Sequence, residues 1–290
     1  MKALVLSGGG VKGAYQVGAL KYLMGECHQE YDIVCGISVG ALNAAGISQI
    51  EKGKPVEAIS WLEDFWRTKI KGTSSIHKRW FPFGVVHSLW KESIYNSKPL
   101  IDLVTKNFDL IKACNNGRDI SVGAVCLHTG EYRFVSSNEP GFLNHVLASS
   151  SFPVFLTPIE IEGKLWSDGG IVNVTPIGEA IKRGATDIDI LMCSNPFRNN
   201  EVTGEMDAIP DVLFRMLDLM VDQIMRADIK IVGLKNDLAE IEDKYKNIKM
   251  RILMPQPGLC SNSLEFIPQE IAQMIEKGYQ EVQTNFEVIC

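Results

Sequence analysis

The chain has 290 residues, 46% apolar and 22% charged, with a formal net charge of −6. That balance excludes a disordered, collagen-like or disulfide-stapled chain, and the acidic excess argues against a nucleic-acid binder. The length suits one α/β domain over residues 1–290. No apolar run nears the roughly 18 residues of a membrane span, and the apolar stretch before Ser7 is too short for a signal-peptide core. Seven cysteines, an odd number without a C-x-x-C pair, read as reduced thiols in a cytoplasmic protein, not as bridges or metal ligands.

In chain order, residues 2–6 form a short apolar strand, Ser7-Gly8-Gly9-Gly10 a turn, and residues 12–24 an amphipathic helix. A second unit repeats the plan: strand 31–35, turn 36–40, helix 41–50. Pro55 opens a further helix to about residue 66. Residues 67–96 lose periodicity and read as an insertion placed to cap a site as a lid. A helix over 97–108 precedes a hairpin, 119–127 with 131–136, and then a helix over 142–149. A second hairpin, 159–161 with 164–166, turns at Glu162-Gly163 and runs into Asp168-Gly169-Gly170. Helix 176–183 and strand 186–193 restore the alternation. A long helical region follows over 210–245, broken at Gly233, then strand 247–254 and helix 268–286. Strands alternating with helices imply a mostly parallel central sheet sandwiched by helices.

Two turns carry chemistry. Gly8-Gly9-Gly10-Val11-Lys12-Gly13 satisfies G-x-G-x-x-G, where backbone N–H groups at a helix start can face an anion. A dinucleotide site needs an acid closing the second strand, whereas Asp32 opens it, so that reading loses. Gly36-Ile37-Ser38-Val39-Gly40 is G-x-S-x-G between a strand and a helix, the context that exposes a nucleophilic serine on a sharp bend. Ser38 needs a base. His145 or His128, with Asp102 or Asp119 ahead of them, could serve in a triad, but nothing local marks either. The rival is a carboxylate acting directly, best placed at Asp168.

Four ordered blocks resemble the patatin-like phospholipase family: Gly8–Gly13, Gly36–Gly40, Ala148-Ser149-Ser150-Ser151-Phe152-Pro153, and Asp168-Gly169-Gly170, with Asn173 and Pro176 after it. The motif-bearing part is 1–195, leaving 196–290 as a helical and strand extension without a usable motif. The resemblance implies a three-layer fold and a Ser-Asp dyad, with Ser38 as nucleophile and Asp168 as general base. Gly8, Gly9 and Gly10 would form the oxyanion hole, and Lys12 would occupy the family's basic position. It implies a lipid ester as substrate, phospholipase A or lysophospholipase chemistry, and no metal or other cofactor. Transfer to another acyl acceptor, a thioester substrate, or a non-catalytic lipid-binding role are the alternatives. Ser7 departs from the Asp often found before the glycines.

Four of the five tryptophans, Trp61, Trp66, Trp80 and Trp90, fall within one stretch, and residues 64–91 carry six cations against Asp64. Aromatic residues beside basic ones suit an anionic headgroup region. Contact with a membrane surface is therefore expected through Trp80, Phe81, Phe83, Lys78 and Arg79, with packing onto the core as the competing reading. The stripe Leu213, Met216, Leu217, Met220, Ile224 has helical spacing and is expected in the core.

Overall fold

A computed structural model describes residues 1–79, 92–197, 209–241, 248–256, 258–260, 262–285 and 287–289. Strand β1 (Lys2–Leu6) passes through the glycine turn into α1 (Gly13–Leu20). Strand β2 (Ile33–Ile37) leads into α2 (Val39–Ile47), and Pro55 opens α3 (Pro55–Asp64), where its missing N–H costs nothing. A small ribbon pairs β3 (Lys78–Arg79) with β4 (Tyr95–Asn96). Helices α4 (Lys98–Asn107) and α5 (Leu110–Cys114) precede β5 (Asp119–Cys126), β6 (Tyr132–Ser136) and α6 (Phe142–Ser149). The hairpin of β7 (Ile159–Ile161) and β8 (Lys164–Asp168) is followed by α7 (Ile177–Lys182) and β9 (Asp187–Leu191). The chain closes with α8 (Ile209–Ile241), β10 (Lys249–Leu253), α9 (Pro268–Asn285) and β11 (Glu287–Ile289).

The main sheet runs β11-β10-β9-β1-β2-β5-β8-β7, with β6 also on β5. From β10 to β5 every pairing is parallel. Alternate residues of β1 serve opposite faces, as a pleated strand requires. Leu4 and Leu6 pack with α1, α2 and α3, whereas Ala3 and Val5 pack with α7 and Met225 of α8. Helices thus cover both faces of a mostly parallel centre.

Beyond β2 the pattern changes in a way that decides the site. β6 pairs with residues 121–125 of β5, overlapping the registers of both β2 (119–123) and β8 (124–126). A strand has two edges, so β2 and β8 must share the other one. β2 is parallel to β5 and β8 antiparallel, so they approach head to head, C-terminal end against C-terminal end. Alternating βα units alone do not predict this arrangement.

A buried polar chain ties the helices to the strand ends. Trp66, just past α3, donates through Nε1 to Asn43 Oδ1 at 2.8 Å. Asn43 Nδ2 donates to Gly13 O (3.1 Å) and Gln16 Oε1 (3.0 Å), and Gln16 Nε2 donates to Ser7 O (3.0 Å) and Leu191 O (2.9 Å). Trp66, Asn43 and Gln16 are fully buried.

Several expectations change. Trp66 is fully buried and half-buried Trp61 packs against Phe65 and Phe108, so these two follow the competing reading of packing onto the core. Trp80, Phe81, Phe83 and Trp90 lie outside the described residues, while Lys78 and Arg79 are exposed in β3. Helix α8 is unbroken at Gly233, and the end of the chain adds β11 antiparallel to β10. Of the stripe expected in the core, Ile224 packs against the sheet cluster, Met216 and Met220 are 48% and 51% exposed, and the side chains of Leu213 and Leu217 lie outside the described residues. No helix among the described residues is long and apolar enough to cross a membrane.

The polar chain sets a test. Asn43→Ala strands the Trp66 N–H and one end of Gln16 without water, so it should cost about 1–3 kcal/mol for each stranded group. Urea unfolding of wild type and variant measures it.

Candidate active site

Ser38 lies directly after β2 with φ 56° and ψ −127°, a conformation that costs a non-glycine residue about 1–3 kcal/mol. Its neighbours hold it there. The Ser38 N–H donates to Ser149 Oγ at 2.9 Å, and its carbonyl accepts from Ala41 N–H (2.9 Å), Leu42 N–H (3.3 Å) and Ser150 Oγ (3.4 Å). The flanking glycines are sterically required: a Cβ on Gly36 would lie 2.3 Å from Gly40 O, and one on Gly40 2.2 Å from Leu6 O. The bend therefore rests on the end of β1.

Asp168 ends β8 and is fully buried. Its N–H donates to Ser151 O at 3.0 Å, and its Oδ1 accepts from Gly170 N–H at 2.7 Å. Ser167 Oγ donates to the same Ser151 carbonyl at 2.5 Å. The segment Ser149–Ser151 thus staples the serine bend to the end of β8. The sequence showed this segment only as a family block; its physical task appears once β2 and β8 meet. Burial pushes Asp168 from 3.8 up to about 7, while the Ser38 hydroxyl and the Gly170 N–H draw it down. Oδ2 has no partner of good hydrogen-bond geometry. The Ser38 hydroxyl is therefore near enough to act on the carboxylate but not locked to it.

The glycine turn lies against this pair. A Cβ on Gly8 would sit 3.0 Å from Ser38 Cβ and 3.7 Å from its Oγ. The three glycines are not equivalent. Gly8 N–H donates to Val174 O at 3.2 Å and is thus already engaged. Gly9 and Gly10 N–H have no hydrogen-bond acceptor among the described residues. A Cβ on Gly9 would come within 2.2 Å of Cys193 Cβ, and one on Gly10 within 2.2 Å of Ser263 O. Ser7 fills its position usefully: its Oγ accepts from Cys193 N–H at 2.9 Å and donates to Gly8 O at 3.1 Å.

Ser38, Asp168 and the three glycines line one cavity of about 420 Å³, and Lys12 joins them. Its apolar wall includes Leu42, Ile76, Leu100, Phe155, Leu156 and Phe266. Residues beyond 195, which carried no motif, supply much of the remainder, among them Arg215, Val221, Asp222, Leu259 and Leu264. Ile76 is the only described residue of the 67–96 insertion in that lining. Neither His145 nor His128 lines the cavity. His145 Nδ1 is 3.1 Å from Gly141 O with its ring against Trp166, and His128 Nδ1 accepts from Leu165 N–H. Their paper partners are spent elsewhere, Asp102 on Lys98 and Asp119 on Arg183. Among the described residues no group of three or more His, Cys, Asp or Glu could hold a metal ion.

The raised Asp168 has a stability consequence. Below about pH 4 the carboxyl is protonated folded or unfolded; between about pH 4 and 7 the unfolded chain ionises first, so stability falls as pH rises. Above pH 7 the penalty is complete. Asp168→Asn should therefore stabilise the fold at pH 8, on the order of a few kcal/mol, and have little effect at pH 4. Denaturant titrations at the two pH values would show it.

The family model for patatin-like phospholipase matches residues 4–181. Patatin-like phospholipase domain-containing protein 7 from Rattus norvegicus is 30% identical over 194 residues, 63% of this chain and 13% of that protein. A cGAMP-activated phospholipase from Pseudomonas aeruginosa (strain BWHPSA011 / Pa011) is 26% identical over 186 residues, 60% of this chain and 53% of that protein. The chain thus spans only part of the length of these relatives. VipD from Legionella pneumophila superposes with a TM-score of 0.43 at 14% identity, covering 97% of this chain and 66% of its own. The matched span begins in β1, contains the glycine turn, the serine bend, the serine staple and Asp168, and ends in α7: the chain belongs to the patatin-like phospholipase family.

Proposed function

We propose that the protein is a serine lipid acyl hydrolase of phospholipase A or lysophospholipase type, working through a Ser38–Asp168 dyad. The observation that carries this reading is a strained serine beside a fully buried carboxylate with an unpartnered Oδ2, in a cavity with a long apolar wall. Asp168 takes the Ser38 hydroxyl proton as Oγ bonds to the ester carbonyl carbon. Negative charge then develops on the carbonyl oxygen, where the free N–H groups of Gly9 and Gly10 face it. Collapse breaks the bond to the leaving alcohol, which takes the proton back from Asp168 and departs. Water then attacks the acyl-enzyme, giving its proton to Asp168, and release of the fatty acid returns that proton to Ser38. A base poised near neutrality suits both directions of transfer. The apolar wall accommodates an acyl chain, and Lys12 at the cavity offers a cation to a phosphate headgroup.

Ser38→Ala should abolish both fluorophosphonate labelling and p-nitrophenyl ester turnover while leaving thermal unfolding cooperative. Asp168→Asn should lower kcat by about 10²–10⁴ or more. Near-normal turnover in Asp168→Asn would remove the dyad. In wild type, kcat/KM for a soluble ester should rise with pH through about 7, as the base ionises.

A further inference from the structure

Helix α8 is wall and surface at once. Arg215, Val221 and Asp222 line the cavity, and Met225 is fully buried against the sheet. Asp228 Oδ2 accepts the Thr175 N–H at 3.2 Å, next to Val174, whose carbonyl holds Gly8. The helix is thus anchored to the site loop. Its opposite face is not covered. Val212, Met216, Leu219 and Met220 are 53%, 48%, 47% and 51% exposed, and their three- and four-residue spacing puts them on one side. Large apolar side chains scattered singly are ordinary, but four on one helical face form a patch that marks a contact surface.

The same face continues through Arg226 and Lys230, both exposed. The Arg226 guanidinium lies 5.6 Å from the ring centre of Phe197, itself 52% exposed. The described acids of this part of the helix, Asp222 and Asp228, are only partly exposed and turn inward, to the cavity and to Thr175. A face that is apolar along one half and basic along the other, with a cation over an exposed aromatic ring, matches the acyl boundary and headgroups of an anionic bilayer. Methionine adapts its shape to a surface that has none of its own. The helix is not apolar enough to span, so it would lie in the interface plane.

We propose that Met216, Leu219 and Met220 of α8, with Arg226 and Lys230, dock the protein on an anionic phospholipid surface. The inference rests on the acyl hydrolase reading for the identity of the surface, and it places membrane contact on α8, away from the tryptophan-rich stretch.

The test is co-sedimentation with phosphatidylcholine vesicles, with and without phosphatidylglycerol, beside turnover of a soluble p-nitrophenyl ester. Wild type should bind the anionic vesicles better. Met216→Glu with Met220→Glu should weaken that binding at least about tenfold, and Arg226→Glu with Lys230→Glu should abolish the preference for phosphatidylglycerol. Soluble-ester turnover should be unchanged in both. Equal vesicle binding by wild type and both variants would overturn the proposal. So would a wild-type dimer that the methionine substitutions make monomeric, because a second copy would then cover the face. Absence of ester turnover in wild type would sink the hydrolase reading, while the vesicle measurement would still decide the docking face.

Discussion

Two strands that share one edge of β5 set the geometry of the candidate site. Because β2 and β8 arrive from opposite directions, the residue after one and the last residue of the other meet where the pairing changes partner. Ser38 and Asp168 are those residues. Everything else at the site serves that meeting: Gly36 and Gly40 let the serine bend sit on β1, Ser149 holds its N–H, and Ser151 holds the end of β8. A carboxylate delivered this way is surrounded by protein, so its charge is disfavoured and its pKa is pushed up to about 7.

The same burial is what would let the proposed dyad work without a histidine. A solvated aspartate is too weak a base for a serine hydroxyl at neutral pH, and an imidazole is the usual remedy. Here desolvation moves the carboxylate into the same range. The cost appears as strain at Ser38 and destabilisation at Asp168, and the buried chain Trp66–Asn43–Gln16 fixes the helices and strand ends that hold them. Functional sites commonly store such costs, which the surrounding structure must offset.

The part of the chain without motifs has work of its own. Residues from α8 onward extend the parallel sheet through β10 and complete the cavity wall with Arg215, Val221, Leu259 and Leu264. Ser263 closes on the glycine turn, its carbonyl accepting the Val11 N–H at 2.8 Å. These contacts are made by residue types common anywhere, at positions set by packing, so no sequence pattern announces them.

The sequence by itself determined the two turns and their order. Strand–glycine–helix and strand–Gly-x-Ser-x-Gly–helix are local: each depends on residues within a few positions, and the steric demands at Gly36, Gly40, Gly9 and Gly10 can be read as missing side chains. Helical coverage of both faces followed from apolar alternation. What the sequence could not fix was every relation between distant segments. It left Asp168 competing with two histidines, because 130 residues separate it from Ser38 and only the shared edge of β5 brings them together. It treated Gly8, Gly9 and Gly10 alike, because only the Val174 carbonyl across the site tells Gly8 apart. It placed Met216 and Met220 in the core, because periodicity reports that a helix has an apolar side and not whether the folded chain covers it.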